Sequence, residues 1–269
     1  PINVTIGKNM TEKNIRNITK ISDYEYRIDF ADGYDPTIQD LTTGLQAYWS
    51  FNTSGNTSDI HTYTYDMTNS GADFTAAGKI GGAYDYTATE FPNMTRNDAC
   101  GISDWPVSFC GWVFFNNDAN YGTLFDLADD NDANANIAIQ KENTDVAVLY
   151  HRHSGTITLR SNNTIGGDWT FLCAVIANDN LRKLYVNGNL SNTSTDNKDF
   201  RVGTDSCDIG RLGDTSPSSW ADGKIDEVGL WDIALNDSQI LALYNGGVGL
   251  SYPFDSGADI TVQNFITQP

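Results

Sequence analysis

Residues Gly223–Tyr244, GKIDEVGLWDIALNDSQILALY, decide the fold. After a glycine, Ile225, Val228, Leu230 and Trp231 form a β-prone run that reads as a strand. The second half changes period. Asn236 is the predicted N-cap, and Gln239, three residues on, completes capping-box spacing. Ile240, Leu243 and Tyr244 then share one helical face, and Asn245-Gly246-Gly247 stops the helix. A closing strand followed by one short amphipathic helix is therefore predicted here.

Upstream, the chain reads as strands separated by turn chemistry. They are Gly44–Phe51, Gly78–Tyr86, Val107–Phe115, Ile137–Gln140, Val146–His151, Thr156–Arg160, Trp169–Ala177 and Leu184–Val186. The last runs into Asn187-Gly188, a strong hairpin signal. Strands recurring every ~8–12 residues with turns between them predict an all-β protein, an antiparallel β-sandwich with one short helix near the C-terminal end of the domain. Residues 1–42 read as a separate arm. Asn3–Ile6 and Tyr24–Phe30 alternate like strands, whereas the polar Thr11–Ile21 reads as a short helix or a loop. The turn Asp32–Pro36 marks the boundary. The main domain is assigned to 43–254 and a C-terminal extension to 255–269; the arm is too short for a core of its own.

Composition narrows the function. A chain of 269 residues that is 39% hydrophobic and 12% aromatic can bury a core. Its formal net charge of −19 argues against nucleic acid, whose phosphates need clustered Lys and Arg. It disfavours anionic membrane surfaces as well, and no run approaches the ~20 apolar residues of a membrane span. The chain opens at Pro1 without a leader, which reads as a mature or trimmed product. Four cysteines amid abundant Asn, Thr, Ser and Gly suit an oxidising compartment, and counting alone allows three pairings. N-glycosylation sequons begin at Asn3, Asn9, Asn17, Asn52, Asn56, Asn93, Asn162, Asn189, Asn192 and Asn236, roughly twice what this composition yields by chance. An extracellular, cell-surface or particle-surface location is expected.

The ordered series AYWSF (47–51), GKIGGAYDY (78–86), SFCGWV (108–113), DWTFLCAVI (168–176), KLYVNG (183–188), DIG (208–210) and the terminal KIDEVGLWDIALNDSQILALY resembles laminin-G-like, concanavalin-A-like jelly rolls, including the pentraxins. It covers about two hundred residues. The resemblance implies a jelly-roll sandwich. Pentraxins carry an inter-strand disulfide at positions that look equivalent to Cys110 and Cys173, which implies Cys110–Cys173 and leaves Cys100–Cys207. The resemblance also implies calcium at one of two places. A structural ion would tie the loop after the first strand to the closing strand through Asp66, Asp73 and Asp226. A pentraxin-type site would use Asp129, Asp130, Asn131 and Asp132 with Asp214. The acidic and amide residues expected beside Asp214 are replaced by Leu212 and Gly213. Acid-rich loops exposed to water are the alternative for both sets.

Glucanases with this sandwich place acids at alternate positions of one strand so that they line one groove. No such run occurs. Asp226 and Glu227 are adjacent and are expected on opposite strand faces. His151 and His153 read as an exposed pair on a polar strand. No nucleophile or phosphate-loop motif appears, so an enzyme is not expected. Sugar recognition needs exposed aromatics that stack on pyranose faces. Trp220, in the polar loop Ser216–Asp222, and Tyr121 are the candidates; Trp220 can equally pack on a sheet edge. Trp49, Trp112, Trp169 and Trp231 read as core. Two functions fit. One is a non-catalytic recognition or adhesion module for glycans or glycosylated partners. The other is a structural subunit of an N-glycosylated filament, sheath or virion coat, self-associating through 1–42 and 255–269.

Overall fold

Alternation along the strands sets the layers. The computed structural model describes residues 41–87, 91–117, 120–200 and 204–254, plus the backbone of four short strands nearer the ends. In chain order the strands are β1 (Asn3–Thr5), β2 (Ile15–Ser22), β3 (Glu25–Phe30), β4 (Leu45–Trp49), β5 (Thr68–Ser70), β6 (Asp73–Thr75), β7 (Ala83–Asp85), β8 (Asn93–Arg96), β9 (Val107–Phe115) and β10 (Gly122–Ala128). They continue as β11 (Asn136–Lys141), β12 (Val146–Arg152), β13 (Thr156–Thr164), β14 (Thr170–Asn178), β15 (Leu181–Val186), β16 (Asn189–Ser194), β17 (Ser206–Ile209), β18 (Gly223–Trp231) and β19 (Thr261–Gln263), with helix α1 (Asp237–Tyr244) after β18.

Two antiparallel sheets make the sandwich. One runs β13-β12-β11-β10-β17-β8-β5; the other runs β16-β15-β14-β9-β18-β7-β6, with β4 also on β18. Between them lies the main core, to which β10 gives Phe125 and Leu127, β17 gives Cys207 and Ile209, and β18 gives Ile225, Val228 and Leu230. A second core covers the outer face of the eight-stranded sheet. There Trp112, Phe171, Tyr185 and Trp231 meet Ile240 and Leu243 of α1, with Leu250 and Phe254 closing the layer. Trp231 Nε1 donates to the Leu41 carbonyl at 2.8 Å, so the start of the domain is pinned to its closing strand.

Several expectations hold. Asn236 Oδ1 accepts the Gln239 N–H at 2.9 Å, and Gln239 Oε1 accepts the Asn236 N–H at 2.9 Å, completing the capping box. Asn245 ends the helix in the left-handed region at φ 48°. Asn187 and Gly188, at φ 51° and 76°, form the β15–β16 turn. Cys110–Cys173 joins register partners on β9 and β14, and Cys100–Cys207 is the other bridge. Trp49, Trp112 and Trp231 are buried, and Trp169 packs against the second core.

Three expectations are corrected. Where Thr11–Ile21 is expected as helix or loop, Ile15–Ser22 is a strand paired with β3; its isoleucines and Thr19 favour extended backbone. Asp226 and Glu227 do not point to opposite faces. The β18 register shifts between Asp226 and Gly229, and Glu227 takes φ 51°. Because Ile225 and Val228 both enter the main core, the two acids between them share the outer side of this bulge. His151 is buried, not exposed: on β12 it lies in phase with Ala147 and Leu149, and Arg182 Nε donates to its Nδ1 at 3.1 Å. Burial and the Arg182 charge push its pKa down to about 3. In the end segments, β1 pairs with β19, so the arm and the C-terminal extension meet within one chain.

Candidate functional site

The outer face of the seven-stranded sheet is polar because β10 and β17 each carry an aspartate between core residues. Asp126 and Asp208 are directly opposite in register and fully buried. What buries them is a hairpin, Gly210–Ala221, folded back over the sheet. Leu212 and Ser218 exchange both backbone hydrogen bonds at 2.8 and 3.2 Å. The Gly213 N–H donates to Asp126 Oδ2 at 2.8 Å, and Asn136 Nδ2 donates to the same oxygen at 2.9 Å. Arg211 Nε donates to Asp208 Oδ1 at 2.8 Å, Ser206 Oγ donates to its Oδ2 at 3.1 Å, and Arg152 pairs with Asp214. Two arginine–aspartate pairs and one backbone bond thus latch the hairpin down.

Burial raises both acids. Desolvation pushes Asp126 up to about 8, the Gly213 N–H only partly opposing it and the Asp208 charge adding to it. Desolvation likewise pushes Asp208 up to about 6, against the pull of Arg211. Two acids with raised pKa are a catalytic signature where substrate reaches them. Here Gly213 lies directly on Asp208: a Cβ built on it would sit 1.9 Å from Oδ2. The arrangement holds a loop in place and leaves no room at these carboxylates for a reacting group.

The latched hairpin presents Trp220. Thr123 Oγ1 donates to the Ser219 carbonyl at 2.8 Å, and the Ala221 N–H donates to the Gly210 carbonyl at 2.7 Å, so both neighbours of Trp220 are fixed. Its ring lies 4.4 Å, centroid to centroid, from Phe91, tilted by 41°. Phe91 is 61% exposed and sits at φ 56°, a costly conformation for a bulky residue. Tyr121, 45% exposed, lies two residues before Thr123. Three aromatics from separate connections thus lie at the surface, Phe91 and Tyr121 exposed and Trp220 half-buried. Of these the sequence pointed to Trp220 and Tyr121 and missed Phe91, whose only signal is the Phe91-Pro92 step before β8.

The carboxylates expected around calcium are distributed differently. Asp226 Oδ2 accepts the Lys79 and Ile80 N–H groups at 2.8 and 2.9 Å, while its buried Oδ1 has no partner. Desolvation pushes Asp226 up to about 7. Glu227 accepts the Tyr48 hydroxyl at 2.6 Å and Asn52 Nδ2 at 3.1 Å; burial and then the Asp226 charge push it up to about 8. Asp66 and Asp73 are exposed, and Asp66 Oδ1 accepts the Asp59 N–H. Among the described residues the three-carboxylate group that can reach a common ion is Asp129, Asp130 and Asp205, not Asp66, Asp73 and Asp226. In the second set Asp214 is turned to Arg152, and Asp205 stands in its place. Asp205 Oδ1 accepts the Asp130 N–H and its Oδ2 accepts Asn131 Nδ2, both at 2.8 Å. Asp132 Oδ1 accepts the Asn134 N–H within its own turn. Asp205 escaped sequence reasoning because it is far from 129–132 in the chain and joins them only through β10–β17 pairing.

The sequence model described as the Concanavalin A-like lectin/glucanases superfamily matches residues 81–241. Among curated proteins none matches in sequence. Solved structures share the fold. Domain 4 of AbnA, a GH43 extracellular arabinanase from Geobacillus stearothermophilus, in complex with arabinotriose, superposes with a TM-score of 0.62 at 24% identity, over 73% of this chain and 96% of that one. The botulinum neurotoxin serotype D ligand-binding domain, in complex with N-acetylneuraminic acid, gives 0.58 at 13% identity over 76% and 51%. The serotype G binding domain gives 0.56 at 16% identity over 74% and 50%, so the chain spans about half the length of these toxin domains.

Proposed function

Because the chain belongs to the concanavalin A-like lectin/glucanase superfamily, we propose that it is a non-catalytic carbohydrate-binding module, displayed outside the cell or on a particle surface. The observation that carries this is the Phe91–Trp220 pair. One ring is largely exposed on strained backbone, and the other is set by a hairpin that a buried polar latch holds in place. Rigid aromatic faces stack on the apolar faces of sugar rings at little entropic cost, and nearby hydroxyls and amides supply direction. Tyr121, exposed two residues before Thr123, is a further stacking candidate. Carbohydrate in complexes of two neighbours of this fold supports the choice of ligand class. Two disulfides support an oxidising location, and among the described residues no helix is long and apolar enough to cross a membrane.

A glycan array followed by titration calorimetry tests the reading, with arabinotriose and a sialylated trisaccharide as defined probes. Binding of any one glycan class that falls at least tenfold, ~1.4 kcal/mol, in both Phe91→Ala and Trp220→Ala supports it. A silent array, or binding that survives both substitutions, overturns it. Repeating the titration with a chelator reads whether calcium at Asp129, Asp130 and Asp205 supports the platform.

A further inference from the structure

We propose that the seam between β13 and β16 is a glycosylated face, carrying N-linked sugar at Asn162 and Asn189, and that this sugar shields the exposed Leu190 on the edge strand β16. These strands end the seven- and eight-stranded sheets, and each pairs with only one neighbour in its sheet among the described residues. They close on each other through side chains. The Asn162 N–H donates to Ser191 Oγ at 3.0 Å, Asn162 Nδ2 to the Ser191 carbonyl at 2.6 Å, and Asn192 Nδ2 to the Arg160 carbonyl at 3.0 Å. Three sequons, Asn162-Asn163-Thr164, Asn189-Leu190-Ser191 and Asn192-Thr193-Ser194, thus converge on one seam.

Chemistry and exposure choose among the sequons. N-linkage forms a bond from Nδ2 to the anomeric carbon of a lipid-pyrophosphate-linked oligosaccharide. It breaks that carbon's bond to the pyrophosphate oxygen and releases lipid pyrophosphate with one amide proton. One N–H remains on Nδ2 and can keep a single hydrogen bond. Asn162 and Asn189 are exposed, and each uses Nδ2 for one such bond, Asn189 to the Asn187 carbonyl at 3.0 Å. Asn93 differs: it is 8% exposed, with Nδ2 donating to the Phe91 carbonyl at 2.8 Å, so a folded chain has no room for sugar there. Asn56 and Asn236 are exposed but belong to other segments, the loop after β4 and the cap of α1, their Oδ1 atoms accepting the Ser58 and Gln239 N–H groups. The side chains of Asn3, Asn9 and Asn17 lie outside the described residues.

Shielding follows from what the edge exposes. Leu190, between Asn189 and Ser191, is 47% exposed on an edge strand, the feature that invites pairing with another chain. The test is glycopeptide mapping of the native protein, with enzymatic release in heavy-oxygen water to mark each occupied asparagine, then light scattering before and after release. Occupied Asn162 and Asn189, unmodified Asn93, and association once sugar is removed are the expected results. Bare Asn162 and Asn189, or a marked Asn93, overturn the site assignment. A protein that stays monodisperse after release overturns the shielding role.

Discussion

The Gly213 N–H donates to Asp126 Oδ2 at 2.8 Å, and the same glycine leaves no room for a side chain against Asp208. This one residue therefore joins the hairpin to both buried acids. Gly213→Ala should lift the hairpin, since Asp208 is fixed by Arg211 and Ser206 and cannot swing away. A loss of about 1–3 kcal/mol is expected from overpacking, read as a lower urea midpoint at unchanged slope. Sugar affinity should fall with it. A variant that keeps both stability and binding would show that the latch does not set Trp220.

Stability should fall as pH rises from mildly acidic to alkaline. Asp126 and Glu227 are pushed up to about 8 and Asp226 to about 7, chiefly by burial. Their unfolded values lie near ~4, so over this interval the folded state binds more protons. The stabilisation is whole below ~4 and drains away as pH climbs through the folded values. Asp126→Asn isolates one contributor. An amide oxygen can accept the Gly213 and Asn136 bonds, and its NH₂ replaces the unpartnered Oδ1. Urea midpoints between about pH 5 and pH 9 should fall less steeply in this variant than in the parent. Parallel profiles would remove Asp126 as a source.

The helix and both disulfides were legible for different reasons. The cap is local chemistry: Asn236 and Gln239 are three residues apart, and nothing distant can rearrange that spacing. The pairings came from the order of family-like segments. Phe91, Asp126, Asp205 and Asp208 were not legible, because each acquires its role from a partner far along the chain. A lone aspartate inside TLFDLA or CDIG signals a buried polar group, yet only β10–β17 pairing shows that the two face the same hairpin. Glu227 defeated the alternation rule because a bulge re-phases its strand.

Acid should unfold the protein through Asp59. This buried carboxylate accepts the Tyr48 and His61 N–H groups on Oδ1, at 3.0 and 2.9 Å, and the Thr62 N–H and hydroxyl on Oδ2, at 3.2 and 2.5 Å. Burial pushes its pKa up, but the Thr62 hydroxyl and the backbone donors outweigh that and hold it below the usual range. Its stabilisation is present above ~4 and is lost as pH falls through the depressed folded value. Asp59→Asn, which turns a donor toward donors, should cost about 3 kcal/mol. Tyr63→Ala, in the same loop but 77% exposed, should cost almost nothing. Equal denaturation midpoints for the two variants would refute the role given to Asp59.

Phe91 offers the sharpest separation of binding from packing. Its backbone at φ 56° is disfavoured for a bulky side chain and tolerable for asparagine, so Phe91→Asn relieves strain of order 1 kcal/mol. The substitution forfeits the ring contact with Trp220, worth about 0.5–1.5 kcal/mol. Because Phe91 is largely exposed, little other apolar burial is lost. These terms oppose each other, so the unfolding midpoint should barely move. Sugar affinity has no such compensation and should fall at least tenfold. Were Phe91 only a lid over Trp220, the variant would instead lose stability and leave affinity intact. A denaturation curve and a titration on the same sample distinguish the two, and strain retained at an exposed aromatic already favours binding.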